Sequence, residues 1–143
     1  MAERTIFLKG RPIRKEGIAA GAIVPGMTVV LGAAGTFTAG PAAGAAPADN
    51  TLNIAFEQEL KNGATVDTPY AANDRLYYGS VRPGSEWYAL VAAAAPAIVK
   101  GDRLEYNGGY LRKATTGVVK AIALEAVDNS GGGAPARIIV EAI

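Results

Sequence analysis

Nothing in this sequence can form a disulfide or offer a thiolate, because it contains no cysteine, and it contains no histidine either. Without those two residue types the usual zinc sites, and the Ser-His and Cys-His nucleophile arrangements, have neither ligand nor base. Lack of cysteine also leaves the redox compartment open, since neither disulfides nor protected thiols are needed. Large apolar side chains are scarce as well: 29 of the 71 hydrophobic residues are alanine. Each buried methylene contributes roughly 0.8 kcal/mol, so such a core is thin for its count, and support from neighbouring subunits is expected. Long apolar runs are missing. The longest covers residues 89–99 and has Pro96 inside it, which is too short to cross a bilayer. Thr5-Ile6-Phe7-Leu8 is far shorter than the apolar region of a secretory signal and runs into Lys9-Gly10-Arg11, so no such signal is read there.

What the chain does have is a pattern stated twice. Ile23-Val24-Pro25-Gly26-Met27-Thr28-Val29 returns as Ile98-Val99-Lys100-Gly101-Asp102-Arg103-Leu104, and Ile54-Ala55-Phe56-Glu57 returns as Ile122-Ala123-Leu124-Glu125. Each second block leads into a turn, Lys61-Asn62-Gly63 in one half and Asp128-Asn129-Ser130-Gly131 in the other. The common order predicts two related β units in one body. The repeated residues are strand and turn formers without reactive groups, so the repetition speaks of architecture.

Short β-branched or aromatic runs alternate with Gly, Pro and Asn turns throughout, and no segment keeps a 3.6-residue period at helical length. The expected fold is therefore all-β, a small barrel or sandwich-like body. Strands are expected near Met27–Leu31, within residues 51–59, at residues 65–68 and 75–81, and in 86–91, which contains Trp87 and Tyr88. The last third adds strands at 104–106, 110–113, 118–127 and 137–143. Residues 1–17 contain Gly10 and Pro12 and read as an extended N-terminal arm, and residues 18–143 as a single β domain. Residues 39–50 (AGPAAGAAPADN) hold no large apolar group and read as an exposed loop.

Charge is unevenly placed. Residues 1–16 carry five basic groups, Arg4, Lys9, Arg11, Arg14 and Lys15, against Glu3 and Glu16, while the other 127 residues hold nine basic and eleven acidic groups. Five scattered charges make a weak counterion-release footprint, so no nucleic-acid partner is expected. Ile6, Phe7, Leu8 and Ile13 lie among these charges, and the arm is expected to dock on another protein surface. Tyr77, Tyr78, Trp87, Tyr88, Tyr106 and Tyr110 join large apolar area to a polar tip and fit core or subunit-interface packing, the interface favoured, better than stacking on bases or sugars. Glu57 and Glu59 share one strand face, the least geometry for a carboxylate pair, yet two such acids more often form a solvated face. Gly131-Gly132-Gly133 precedes no helix, so it is no phosphate cradle. No cofactor, metal or catalytic set emerges, and the expected protein is not an enzyme.

The ordered blocks Tyr88-Ala89-Leu90-Val91, Ile98 through Glu105, Gly109-Tyr110-Leu111, Ile122 through Val127 and Ala136 through Val140 resemble the small capsid decoration, or cement, proteins of tailed bacteriophages. Ile54 through Glu57 and Tyr70-Ala71-Ala72-Asn73-Asp74 fit the same pattern, so the likeness covers most of residues 17–143. It implies a virion protein on the outer surface of the capsid, partnered by the major capsid protein and self-associated, with a trimer favoured. Under that reading Arg4, Ile6, Phe7, Leu8, Lys9, Arg11, Ile13, Arg14, Tyr77, Tyr78, Trp87 and Tyr88 form capsid or subunit contacts. Removing residues 2–16 is then expected to leave a folded body that no longer attaches. The competing expectation is a carbohydrate- or cell-surface-binding β module without catalytic activity.

Overall fold

The computed structural model describes residues 5–46, 51–58 and 60–143. Among these the chain is all-β, with eleven strands: β1 (Phe7–Lys9), β2 (Ile13–Ile18), β3 (Val29–Leu31), β4 (Phe37–Ala39), β5 (Asn53–Ala55), β6 (Arg75–Ser80), β7 (Glu86–Val91), β8 (Arg103–Asn107), β9 (Tyr110–Lys113), β10 (Val119–Ala123) and β11 (Ala136–Ala142). One 3₁₀ turn, Ala33–Gly35, connects β3 to β4.

The second half closes into a five-stranded barrel in the order β7-β11-β10-β8-β9, sealed by a parallel pairing of β9 with β7 at Leu111 and Val91. The first half draws the same ring with shorter strands. There the sheet β2-β6-β5 and the ribbon β3-β4 are joined by isolated bridges, Thr28 with Ile54 on one side and Ala19 with Phe37, again parallel, on the other.

The repeated sequence blocks occupy equivalent places, bond by bond. Gly26 N–H donates to Ala55 O at 2.8 Å, and Gly101 N–H donates to Ala123 O at 2.8 Å. Ala55 N–H returns to Met27 O at 2.9 Å, as Ala123 N–H returns to Asp102 O at 2.9 Å. Ile23 bridges Tyr70 where Ile98 bridges Val127. Both glycines lie at positive φ, 92° and 93°, a conformation that costs side-chain-bearing residues roughly 1 kcal/mol or more. This explains why glycine stands at that point of both copies. β2 corresponds to β7 and β6 to β11: Ile18 faces Arg75 in one barrel and Leu90 faces Arg137 in the other.

Two buried clusters follow. One holds Trp87, Ala89, Val91, Ile98, Leu104, Tyr106, Leu111, Ile138 and Val140, the other Ala19, Ile23, Met27, Val29, Phe37, Ala55, Tyr70, Leu76 and Tyr78. They are stitched together. Ile6 and Ile54 belong to the second barrel's cluster, and Leu90 of β7 to the first barrel's.

Several expectations change. Residues 5–17 are not a separate arm: β1 pairs antiparallel with β7 of the second barrel, and β2 pairs along its full length with β6 of the first. The segment is extended in conformation but straps the two barrels together, because its backbone donors and acceptors find sheet edges within the same chain. A domain boundary after residue 17 would cut β2. Deleting residues 2–16 would remove β1, most of β2 and the buried Ile6, so a folded remainder is no longer expected. Residues 65–68 form a turn, since the Thr65 N–H donates to Thr68 Oγ1 at 2.9 Å and the Asp67 N–H to Thr65 Oγ1 at 3.2 Å, local bonds that compete with a ladder. In the loop expected over 39–50, residues 47–50 lie outside the described residues. Its earlier part is only half exposed and is tied down: Gly44 N–H donates to Tyr106 O at 2.9 Å, and Gly108 N–H to Pro41 O at 2.8 Å.

Candidate interaction surface

The strap decides where the sequence-predicted contact residues go. Because β1 adds to the edge of β7, Ile6 is carried into the core, its N–H donating to Glu57 Oε2 at 3.0 Å and its carbonyl accepting from Tyr88 N–H at 2.9 Å. Ile6 and Trp87 are fully buried and Tyr78 nearly so, which corrects their assignment as partner contacts. Their apolar area is used in packing within the chain. Arg4 lies outside the described residues.

The others reach the surface. Phe7 is half-buried, its ring centroid 4.9 Å from that of Phe56, and the Arg14 guanidinium lies 4.8 Å over the other part of the same pair, the Phe56 ring. A stacked cation of this kind contributes about 0.5–1 kcal/mol at an exposed site. Leu8 is half-buried, Arg11 and Ile13 are exposed, and the Lys9 ammonium is 3.2 Å from Glu86. Tyr77 and Tyr88 are half-buried. Thr5, Phe7, Pro12, Arg14, Phe56 and Glu57 line one shallow depression, and Arg14, Lys15, Glu16 and Tyr77 the adjoining one. Thus β1, β2 and the neighbouring β5–β6 region present adjoining depressions that share Arg14, in which Arg14 and Lys15 stand beside Glu57 and Glu16 and beside the apolar Phe7, Pro12 and Phe56.

The carboxylate pair does not assemble into a demonstrated site. Glu57 uses one oxygen to accept the Ile6 N–H, and Glu59 lies outside the described residues. Among the described residues no group of three or more acidic side chains converges, and no helix is long and apolar enough to cross a membrane.

Two polar constellations were not singled out from the sequence. Glu105, buried on β8, accepts from Arg112 Nε at 2.8 Å, Gly117 N–H at 2.7 Å, and Thr115 N–H and Oγ1 at 3.3 and 3.2 Å. Burial pushes its carboxyl upward, but these donors outweigh that and hold it below the ordinary 4.5. The available signal was spacing: Glu105 and Arg112 flank the Gly108-Gly109 turn symmetrically and face each other across the hairpin. Arg137, its side chain only 14% exposed, spans the barrels, donating to Asp67 Oδ1 at 3.0 Å, Pro25 O at 2.9 Å and Val66 O. A Cβ on Gly26 would lie 2.5 Å from Tyr88 O and 2.7 Å from Arg137 Nη1, so glycine there also permits the barrels to meet.

Compared with known proteins, the chain matches no family model and no curated protein.

Proposed function

We propose that this protein is a non-enzymatic capsid decoration protein that adds to the outer surface of a tailed-phage head and ties neighbouring major capsid subunits together. The proposal joins the resemblance of its ordered sequence blocks to the surface just described. The observation that carries it is the strap: Lys9, Arg11, Ile13, Arg14 and Lys15 lie along the outer edge of a doubled barrel, where basic and apolar side chains can meet an acidic shell surface. Self-association, with a trimer favoured, multiplies such contacts. Many weak contacts held together on one particle act at high effective concentration and so resist expansion of the shell.

Ile6 has no part in this docking, since it is buried. The exposed edge replaces it. Assembled heads lacking decoration protein test the proposal by co-sedimentation with the purified chain. The wild type should saturate a fixed number of positions, and the double variant Arg11→Glu, Lys15→Glu should bind at least tenfold more weakly while keeping its far-UV circular dichroism. Rim charge acts through encounter and salt dependence, so added salt should weaken the wild type in the same direction. No binding to heads, together with specific retention on a glycan array, would replace this reading with the carbohydrate-binding one.

A further inference from the structure

The two barrels meet within the chain through non-identical faces. The second barrel offers the Tyr88 carbonyl, Leu90 and Arg137 to the Val24-Pro25-Gly26 loop of the first: Leu90 enters the first cluster, Val24 packs against it, Arg137 bonds Pro25 O and Tyr88 O closes over Gly26. Since each barrel repeats the other, each half of this contact has a counterpart that the chain leaves unused. Ile18 stands at the place of Leu90, Glu16 at that of Tyr88 and Arg75 at that of Arg137. Val99-Lys100-Gly101 stands at the place of Val24-Pro25-Gly26.

The counterparts are open. Leu90 is 5% exposed, but Ile18 is 41% exposed and Val99 56%. A Cβ on Gly101 would meet nothing within 4 Å, in contrast to Gly26. Leu31, 65% exposed, corresponds to Tyr106, which is buried in the second barrel's own cluster and does not bear on the junction. Two of the exposed large apolar residues, Ile18 and Val99, are therefore copies of residues covered, fully or in part, where the barrels join. Glu16, which lies 3.8 Å from Arg75 on one open face, is exposed and can also pair with Lys100 on the other. The Val99 loop is held in shape beforehand, as Asp102 Oδ2 accepts the Val99 N–H at 2.9 Å and lies 3.1 Å from Lys113 Nζ.

We propose that copies of this protein associate head to tail, the Glu16-Ile18-Arg75 face of one first barrel seating on the Val99-Lys100-Gly101 loop of the next copy's second barrel, as the barrels already meet within each chain. Such a contact is heterologous, so it closes into a ring or continues as a filament according to the rotation between barrels. It is weaker than the internal junction, because the segment carrying Val66 and Asp67 has no counterpart in the shorter connection between Glu125 and Val127 and so gives Arg75 no matching partner. This gives the self-association suggested above a definite surface, and it rests on the internal repeat rather than on capsid binding.

The absence of native cysteine allows a direct test. Sedimentation velocity should show the wild type as an oligomer, Val99→Asp and Ile18→Asp should each weaken association at least tenfold, and Glu16→Lys combined with Lys100→Glu should restore what either loses alone. With a short bismaleimide, Ile18→Cys mixed with Val99→Cys should give crosslinked dimers, and each variant alone should not. All these positions are exposed in the single chain, and unchanged circular dichroism verifies folding. A wild type that stays monomeric at its highest soluble concentration overturns the proposal, as does ready crosslinking of Ile18→Cys to itself, which marks a two-fold face. Monomeric Val99→Asp that still binds heads would separate this contact from capsid attachment.

Discussion

Arg75 and Arg137 hold the same position in the two barrels but differ in what surrounds them, and the difference is energetic. Arg137 satisfies two carbonyls and a carboxylate from a largely buried position, whereas among the described residues Arg75 pairs with Glu16 at 3.8 Å, both of them exposed. Arg137→Ala should cost about 2–3 kcal/mol in urea unfolding, because hydrogen bonds from a charged group to buried acceptors are lost and those acceptors are stranded. Asp67→Asn should cost under about 1 kcal/mol, since Asp67 is exposed and its ion pair is screened. Equal costs for the two variants would show that Arg137 acts through Asp67 alone. Glu105 shows the same principle on β8: a buried carboxylate persists because four donors surround it.

At the scale of elements, the strap and the 40–46 segment do what the short strands of the first barrel cannot. β3, β4 and β5 each have three residues, and single bridges rather than ladders close that ring. β1 compensates by inserting Ile6 between the barrels. Ile6→Ala should destabilise by about 2–4 kcal/mol, the usual cost of emptying a fully buried isoleucine site, and should speed hydrogen exchange at the Tyr88 amide that bonds Ile6 O. A change below about 0.5 kcal/mol, the range of ordinary surface substitutions, would mean that β1 is not part of the cooperative unit.

For the whole molecule, three carboxyls have pKa values lowered by folding. Asp102 is held down chiefly by the Val99 N–H, Asp128 by Ser130, and Glu105 by Arg112, Gly117 and Thr115 against its desolvation. A carboxyl whose folded pKa is depressed binds its proton more readily when unfolded. Its stabilisation is therefore complete above the ordinary value and lost as pH falls through the lowered one. Thermal midpoints should accordingly decline as pH drops below the ordinary values of 4.5 for Glu105 and 3.8 for the aspartates. Glu105→Gln should lower the midpoint at pH 7 and flatten the acid decline. An acid limb as steep in the variant as in the wild type would exclude Glu105 as a contributor.

The doubled architecture was legible in the sequence, because Gly26 and Gly101 mark backbone positions that only glycine adopts cheaply, and the flanking Ile-Val and Ile-Ala blocks repeat the strand pattern around them. The all-β class followed from the same local signals. Local pattern does not encode which strand edge accepts a segment, so Ile6, Trp87 and Tyr78 read as surface contacts, whereas β1 pairs with β7 and the two barrels share residues between their cores. Arg137 was equally silent, its partners lying 70 and more residues away along the chain. Sequence set the two folding units; how they press together, and which copies of that contact stay open, depended on long-range packing that only the tertiary structure decides.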